Sequence, residues 1–183
     1  MSYRKLYIFV EGNDDELFFK RAMFPLLLKR YTEVEVFKYA QWKRAKVELF
    51  LQSIITLGYE YVFTADIDLM PTVDDKKKWV RGRFGGLDLG HIMIVIKEIE
   101  SWYLAGCTDA MGAVLGINLP RTTNEITKED FNEIAHHSRH HSHLDFMIEL
   151  LKHFSHQTAL ERNRSYKFFA ERFGIAEPEA KIS

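Results

Sequence analysis

The sequence lacks the residues and segments that define several common classes of protein. A single cysteine among 183 residues excludes a disulfide framework and a four-cysteine zinc ribbon. No apolar run is long enough to span a membrane, and the first ten residues lack the layout of a secretory signal peptide. The formal net charge is only −1, so bulk charge does not favour the coating of nucleic acid. We therefore expect a soluble, cytoplasmic protein with no membrane partner.

What the chain does contain is typical of a packed α/β domain. Apolar residues make up 46% and charged residues 28% of the sequence, as in ordinary globular proteins. Short runs rich in β-branched and aromatic residues predict strands over residues 6–10, 33–39, 61–69 and 91–96. Because helical patterns alternate with these runs, we expect a mostly parallel four-stranded sheet flanked by helices.

The helical patterns predict the rest of the organisation. Asn13 is a good N-cap with Glu16 as its capping-box partner, so a helix should begin near Asp14 and kink or split at Pro25. Further helices are predicted within residues 42–57 and 98–106, whereas residues 71–90 are interpreted as a polar, glycine-rich loop. After residue 117 only helices are predicted, over residues 128–137, 144–154 and 164–173. We expect an α/β core, 1–117, and a helical extension, 118–183, packed on it in one structural domain.

Carboxylates follow three of the four predicted strands. Glu11 ends the first strand, Asp66 and Asp68 end the third, and Glu98 and Glu100 follow the fourth. The carboxyl ends of parallel strands meet at one edge of a sheet, where binding sites form. Side chains alternate along a strand, so Asp66 and Asp68 should lie on the same face of an extended chain.

Such a concentration of carboxylates favours a bound cation. Asp15, four residues after Glu11, should lie in the first helical turn above it. Crowded carboxylates raise one another's pKa, and oxygen ligands without cysteine suit Mg²⁺ or Mn²⁺. Two such ions about 4 Å apart can activate a water and stabilise the leaving oxygen in phosphodiester cleavage. Each acidic group also has an ordinary interpretation, as a helix-start or turn residue, but three coincidences at one edge are less probable together.

Two of these motifs together resemble the TOPRIM superfamily, in which one strand ends in Glu-Gly and a later strand ends in Asp-x-Asp. Here they are Glu11-Gly12 and Asp66-Ile67-Asp68. The segment "VEGNDDELFF" also resembles small TOPRIM-like proteins and the nuclease domain of the OLD (overcoming lysogenization defect) family, where an acid follows the first glutamate by four residues. "KEIESWYLAG" is similar to their third acidic motif, and "RNRSYKFF" to their late basic helix.

The resemblance implies a compact, TOPRIM-like (Rossmann-like) fold and a Mg²⁺-dependent nuclease acting on DNA or RNA. Carried over by position, the family's functional residues fall into three groups. One ion would be held by Glu11, Asp15 and Asp66, a second by Asp68 and Glu100 with Glu98 nearby, and the scissile phosphate would be neutralised by Arg164 or Lys167.

The sequence leaves other functions open. The ATPase of the OLD family is missing, since no GxxxxGK[ST] motif occurs, although a separate chain could supply one. The main alternative is a non-catalytic, TOPRIM-like nucleic-acid-binding or regulatory subunit that works with a partner ATPase. A third is a phosphatase or phosphotransferase on small substrates with Asp66 as its nucleophile. The sequence does not decide between DNA and RNA, or the oligomeric state.

Two further segments have both a functional and an ordinary interpretation. Residues 74–86 combine cations with aromatic residues, which suits a nucleic-acid backbone and unstacked bases, but also a solvated loop. These residues are Lys76, Lys77, Lys78, Arg81 and Arg83 with Trp79 and Phe84. A histidine cluster could chelate metal from i,i+4 pairs on a helix or form a surface turn. Its members are His136, His137, His140, His141 and His143.

Overall fold

The structure is a computed structural model that describes residues 3–138 and 142–176. The chain forms two compact units, Met1–Val95 and Ile96–Ser183. This division falls earlier than the predicted boundary after residue 117. Within the described residues, no helix is both long enough and apolar enough to cross a membrane.

The first unit contains a parallel sheet of four strands. They are β1 (Lys5–Val10), β2 (Glu33–Lys38), β3 (Glu60–Asp66) and β4 (Ile92–Val95). Their order is β2-β1-β3-β4, and every neighbouring pair is parallel. The predicted α/β fold with a parallel four-stranded sheet is thus confirmed. Because β2 and β3 lie on opposite sides of β1, the order of the strands reverses there, and such switch points are where open parallel sheets bind ligands.

The helix after β1 changes its geometry partway along. It runs as α1 (Asn13–Phe18), passes through a π-helical segment (Phe19–Met23) and continues as α2 (Phe24–Leu27). Pro25 lies in the first turn of α2, where the missing N–H costs least. The predicted interruption is therefore present, as a π-helical segment just before the proline.

The interpretation of residues 71–90 as a loop is wrong for most of that segment. After α3 (Arg44–Thr56), α4 spans Val73–Phe84, and a 3₁₀ turn follows at Leu89–His91. The α4 helix begins because the Thr72 hydroxyl accepts the backbone N–H of Asp75 at 3.1 Å. The helix is stabilised by the burial of Val80 and Phe84, which are about one helical turn apart and so lie on the same face.

The core of the first unit is built on both faces of β1. Tyr7 and Phe9 belong to an aromatic-rich cluster that also receives residues of β3, β4, α3 and α4. Phe9 stacks on Phe63 of β3 with ring centroids 4.3 Å apart. Leu6 and Ile8 alternate with these residues and are fully buried as well. A strand buried on both faces occupies the centre of a sheet, and burial of each such phenylalanine contributes about 1.5–3 kcal/mol.

The second unit is helical in its described residues. Its helices are α5 (Glu100–Ala105), α6 (Asp109–Leu115), α7 (Lys128–His137), α8 (His143–Lys152), α9 (His156–Arg162) and α10 (Arg164–Arg172). The four helices predicted from sequence are present within two residues at each end, and α6 and α9 were not predicted. Both are short helices of seven residues, too short for a clear amphipathic period.

Two glycines provide a test of this packing. A Cβ atom on Gly106 would lie 2.3 Å from the Phe154 ring, whereas a Cβ on Gly82, inside α4, would meet nothing within 4 Å. We expect Gly106→Ala to lower the free energy of unfolding by about 1–3 kcal/mol because the ring must move. Gly82→Ala should raise it by about 0.5–1 kcal/mol because alanine favours the helix. Urea unfolding followed by circular dichroism measures both, and equal effects would contradict the close approach of the Phe154 ring to Gly106.

Candidate functional site

Two of the predicted carboxylates lie side by side at the switch point of the sheet. Glu11 directly follows β1, and Asp66 is the last residue of β3. Phe9 pairs with Phe63 in the register of these two strands, so Glu11 lies nearly level with Asp66. The prediction that these two acids reach the same sheet edge is confirmed by this register.

A buried hydroxyl contacts one of the carboxylates and is affected by the negative charge of two others. Tyr39, which follows β2, is 1% exposed. Its hydroxyl oxygen is 3.0 Å from Glu11 Oε1 and 3.2 Å from the Thr64 carbonyl oxygen, so both can accept its proton. Burial raises the pKa of Tyr39 well above its usual value, and the negative charges of Glu11, Asp15 and Asp66 raise it further. The negative charges of a residue that follows β1, the last residue of β3 and a residue of α1 therefore all act on the Tyr39 hydroxyl.

Asp15 has a structural role in addition to its place in this group. It is buried, and its Oδ2 accepts the backbone N–H of Gly12 at 3.1 Å. The prediction that Asn13 caps the helix with Glu16 as partner is wrong, because Gly12 is the N-cap and Asp15 occupies the partner position. Asn13 and Glu16 instead accept hydrogen bonds from Lys38 at 2.8 and 2.7 Å.

Opposing effects act on the pKa of the Glu11 carboxyl. Burial raises the pKa of Glu11, and the negative charge of Asp68 raises it further. The positive charges of Lys76 and Arg83 and the hydrogen bond from Tyr39 lower it. Glu11 is thus a half-buried carboxylate that is affected by two cations of α4.

Asp68 lies in a turn and not on the strand. β3 ends at Asp66, the N–H of Met70 bonds to the Ile67 carbonyl, and Asp68 has a left-handed backbone with φ 51°. The prediction that Asp66 and Asp68 share one face of an extended chain is therefore wrong. The carboxylate of Asp68 pairs with the ammonium of Lys76, whose side chain is only 3% exposed.

Sequence reasoning missed two residues of this group, Tyr39 and Lys76. The sequence places Lys76 in a solvated or nucleic-acid-binding loop, although the spacing of Val73, Val80 and Phe84 is helical and puts position 76 beside the buried face. Tyr39 offers no such signal, since the place of its hydroxyl depends on how β1, β2 and β3 align.

The remaining predicted acids belong to the second unit and interact with the start of α7. The Glu98 carboxylate accepts the backbone N–H of Lys128, the first residue of that helix. Glu100 is 2% exposed, and its Oε1 lies 3.5 Å from Lys128 Nζ. An anion at a helix N-terminus is favourable in its own right. That Glu98 and Glu100 hold a metal together with Asp68 stays a prediction.

The segment "RNRSYKFF" anchors α10 through its uncharged residues. Asn163 is 1% exposed and caps the helix by accepting the N–H of Tyr166 at 3.0 Å. Its amide also donates to Ser101 at 3.2 Å and to Thr123 at 3.0 Å. Ser165 accepts a hydrogen bond from the Trp102 indole at 2.8 Å. This buried network joins α5, α10 and the segment between α6 and α7.

Of the three basic residues of the same segment, Arg164 and Lys167 are exposed on α10. The Lys167 ammonium lies 3.8 Å from Glu171 Oε1. The backbone N–H of Arg164 donates to Asn124 at 2.8 Å. That Arg164 or Lys167 neutralises a phosphate stays a prediction.

The histidine cluster can be followed only in part. His136 and His137 are exposed at the end of α7, and His137 Nδ1 donates to the Glu133 carbonyl at 2.7 Å. His143 begins α8. His140 and His141 lie outside the described residues, so both i,i+4 pairs stay predictions.

Comparisons with models of protein families, with curated protein sequences and with solved structures find no match to this chain. The resemblance to the TOPRIM superfamily therefore stays a prediction that rests on the motifs themselves.

Lys76 provides a test of the electrostatics of the site. We expect Lys76→Met to lower the free energy of unfolding by about 1–3 kcal/mol, because Asp68 and Glu11 lose a buried counter-charge. The loss should be smaller than for a fully buried pair because half of the Asp68 side chain is exposed. Urea unfolding at neutral pH measures the change.

Lys78→Met is the matched control, because Lys78 is exposed on the same helix. The double variant Lys76→Met/Asp68→Asn should recover part of the lost stability, since it removes both charges of the pair. Equal midpoints for the two single variants would contradict this description of Lys76.

Proposed function

We propose that the protein is a divalent-metal-dependent nuclease that cleaves phosphodiester bonds in DNA or RNA. The observation that carries the proposal is that the Tyr39 hydroxyl contacts Glu11 at the switch point of the sheet, where the negative charges of Asp15 and Asp66 also act on it. Open parallel sheets bind their ligands at this point, and phosphodiester cleavage is the chemistry for which carboxylate-held Mg²⁺ is suited.

The chemistry of this donor set fits a hard divalent cation. All three candidate ligands are carboxylates, which supply the oxygen atoms that Mg²⁺ and Mn²⁺ prefer. Burial raises the pKa of Glu11, so its ionised form is costly without a compensating charge. A bound cation would stabilise that form.

Each residue of the group has a distinct part in the proposal. Glu11, Asp15 and Asp66 would hold Mg²⁺ or Mn²⁺, which when bound would activate a water and stabilise charge on the phosphate. Tyr39 orients the Glu11 carboxylate through its hydrogen bond. Lys76 holds Asp68 in the turn after β3.

One cation near the carboxylates is assigned to the substrate. Arg83 is exposed and its positive charge already acts on Glu11, so it is the group that we expect to attract the phosphate, whereas Lys76 is buried and pairs with Asp68. Arg164 and Lys167 remain further candidates for that part. The second metal ion predicted at Asp68, Glu98 and Glu100 is not required, because an ammonium already neutralises Asp68.

The proposal is tested by removing one ligand from each central strand. Purified protein is incubated with Mg²⁺ or Mn²⁺ and with single- and double-stranded DNA and RNA, and cleavage is followed on gels. We expect Glu11→Gln and Asp66→Asn each to reduce the rate by more than about a hundredfold, since each removes a charged ligand. Circular dichroism verifies that the variants are folded.

Glu60→Gln is the matched control, because Glu60 begins the same strand that Asp66 ends and pairs with Arg4 at the opposite edge. This variant should cleave at the wild-type rate. The proposal is wrong if the wild-type protein cleaves none of the four substrates, or if both ligand variants keep full activity. Calorimetric titration with Mn²⁺ should show weaker binding in the ligand variants only.

A further inference from the structure

Three side chains of α4 form a row along one flank of the helix. Lys76, Trp79 and Arg83 are spaced three and four residues apart, which places them on one face. Lys76 Nζ lies 4.9 Å from the centre of the Trp79 ring, and the Arg83 guanidinium carbon lies 5.5 Å from it. We call these three residues the Trp79 row.

The Trp79 row begins at the candidate site. Lys76 pairs with Asp68, and the positive charges of Lys76 and Arg83 both act on the Glu11 carboxylate. A strand bound along this row would therefore bring its phosphates close to the carboxylates. The row belongs to the same compact unit as the site.

Trp79 is unusual among the tryptophans of the chain. It is 44% exposed, whereas Trp102 is 1% exposed and Trp42 is packed against the core. Among residues 3–138 and 142–176, Trp79 makes no ring contact with another aromatic side chain, and its contacts with charged groups are with Lys76 and Arg83. The core does not use this indole, which leaves its surface for a ligand that can stack.

Among the described residues, three exposed cations of α4 also lack a carboxylate partner. Lys78, Arg81 and Arg83 form no ion pair with a carboxylate in the described part of the chain, and all three are exposed. Elsewhere cations such as Lys5 and Arg44 pair with glutamates within 3 Å. In a protein of net charge −1, this local excess of positive charge complements a phosphate backbone.

We propose that the Trp79 row binds an unpaired stretch of nucleic acid, with one base stacked on Trp79 and a neighbouring phosphate held by Arg83. The inference rests on the proposed nuclease function and narrows its substrate to single-stranded or locally unpaired nucleic acid. In a duplex both faces of each base are stacked on neighbouring bases, so an indole on a helix surface reaches only unpaired ones. Aromatic platforms flanked by cations are the general means of binding single strands.

The test measures binding separately from cleavage. Protein in EDTA is titrated with labelled oligothymidylate, with labelled oligouridylate and with the oligothymidylate annealed to oligoadenylate, and anisotropy gives the dissociation constants. We expect the single strands to bind at least about tenfold more tightly than the duplex, and indole fluorescence to be quenched as they bind. The two single strands compare DNA with RNA.

Variants of the Trp79 row should separate stacking from charge. Trp79→Ala should weaken binding of oligothymidylate about tenfold, since stacking of one base is worth that much, and Trp79→Phe should restore most of it. Arg83→Ala should reduce, by about 0.7, the magnitude of the slope of the log association constant against the log salt concentration. This is the value for one phosphate contact on a single strand. Trp79→Ala should leave that slope unchanged.

Two controls have matched exposure. Lys152→Ala removes an exposed cation from α8, and Phe168→Ala removes an aromatic ring that is 57% exposed, both in the second unit. Both should bind oligothymidylate as the wild-type protein does. Equal binding of duplex and single strand would overturn the inference, as would wild-type affinity in Trp79→Ala.

The two proposals fail in different ways. Binding through Trp79 without any cleavage in Mg²⁺ or Mn²⁺ would refute the nuclease function and leave the Trp79 row as a binding site. Cleavage that depends on Glu11 and Asp66, with no preference for single strands and no effect of Trp79→Ala, would refute binding by the Trp79 row. It would leave the proposed nuclease function in place.

Discussion

The Tyr39 hydroxyl links the ends of three strands, because acceptors from the other two strands share its single proton, and the candidate site depends on this link. Tyr39 follows β2, Glu11 follows β1 and Thr64 lies in β3. A buried hydroxyl requires a partner, and here its partners are a carboxylate and a backbone carbonyl from neighbouring strands. The position of the Glu11 carboxylate is thus determined by the sheet and not by a flexible loop, which is the kind of support that a precise site requires.

Helix α4 serves the core and the site at once. Val80 and Phe84 bury one face, while Lys76 and Arg83 act on the carboxylates from the adjoining flank. The buried face holds the helix against the sheet, so the cations are positioned by packing and not by attraction to the acids alone. A salt bridge by itself would be weak support for such an arrangement.

Local patterns predicted the parts of the fold that depend on neighbouring residues. Apolar runs identified all four strands, and the acids after β1 and β3 were placed at one edge because parallel strands share direction. The α4 helix was missed because its charged residues mask the period of its few apolar ones. The left-handed turn at Asp68 and the hydroxyl of Tyr39 depend on contacts between distant segments, which a single sequence does not display. The contact of the Glu98 carboxylate with the start of α7 likewise joins distant segments, and its assignment as a metal ligand stays a prediction.

The left-handed turn at Asp68 has a consequence for how this position can change during evolution. Aspartate and asparagine are the residues besides glycine that tolerate a backbone with φ 51° most readily. The turn therefore selects the residue type independently of the ion pair with Lys76. A lineage that lost the need for the charge would drift to asparagine or glycine here and keep its fold, whereas alanine or valine would strain the backbone. The shape of the chain and the charge it carries thus place separate requirements on one residue.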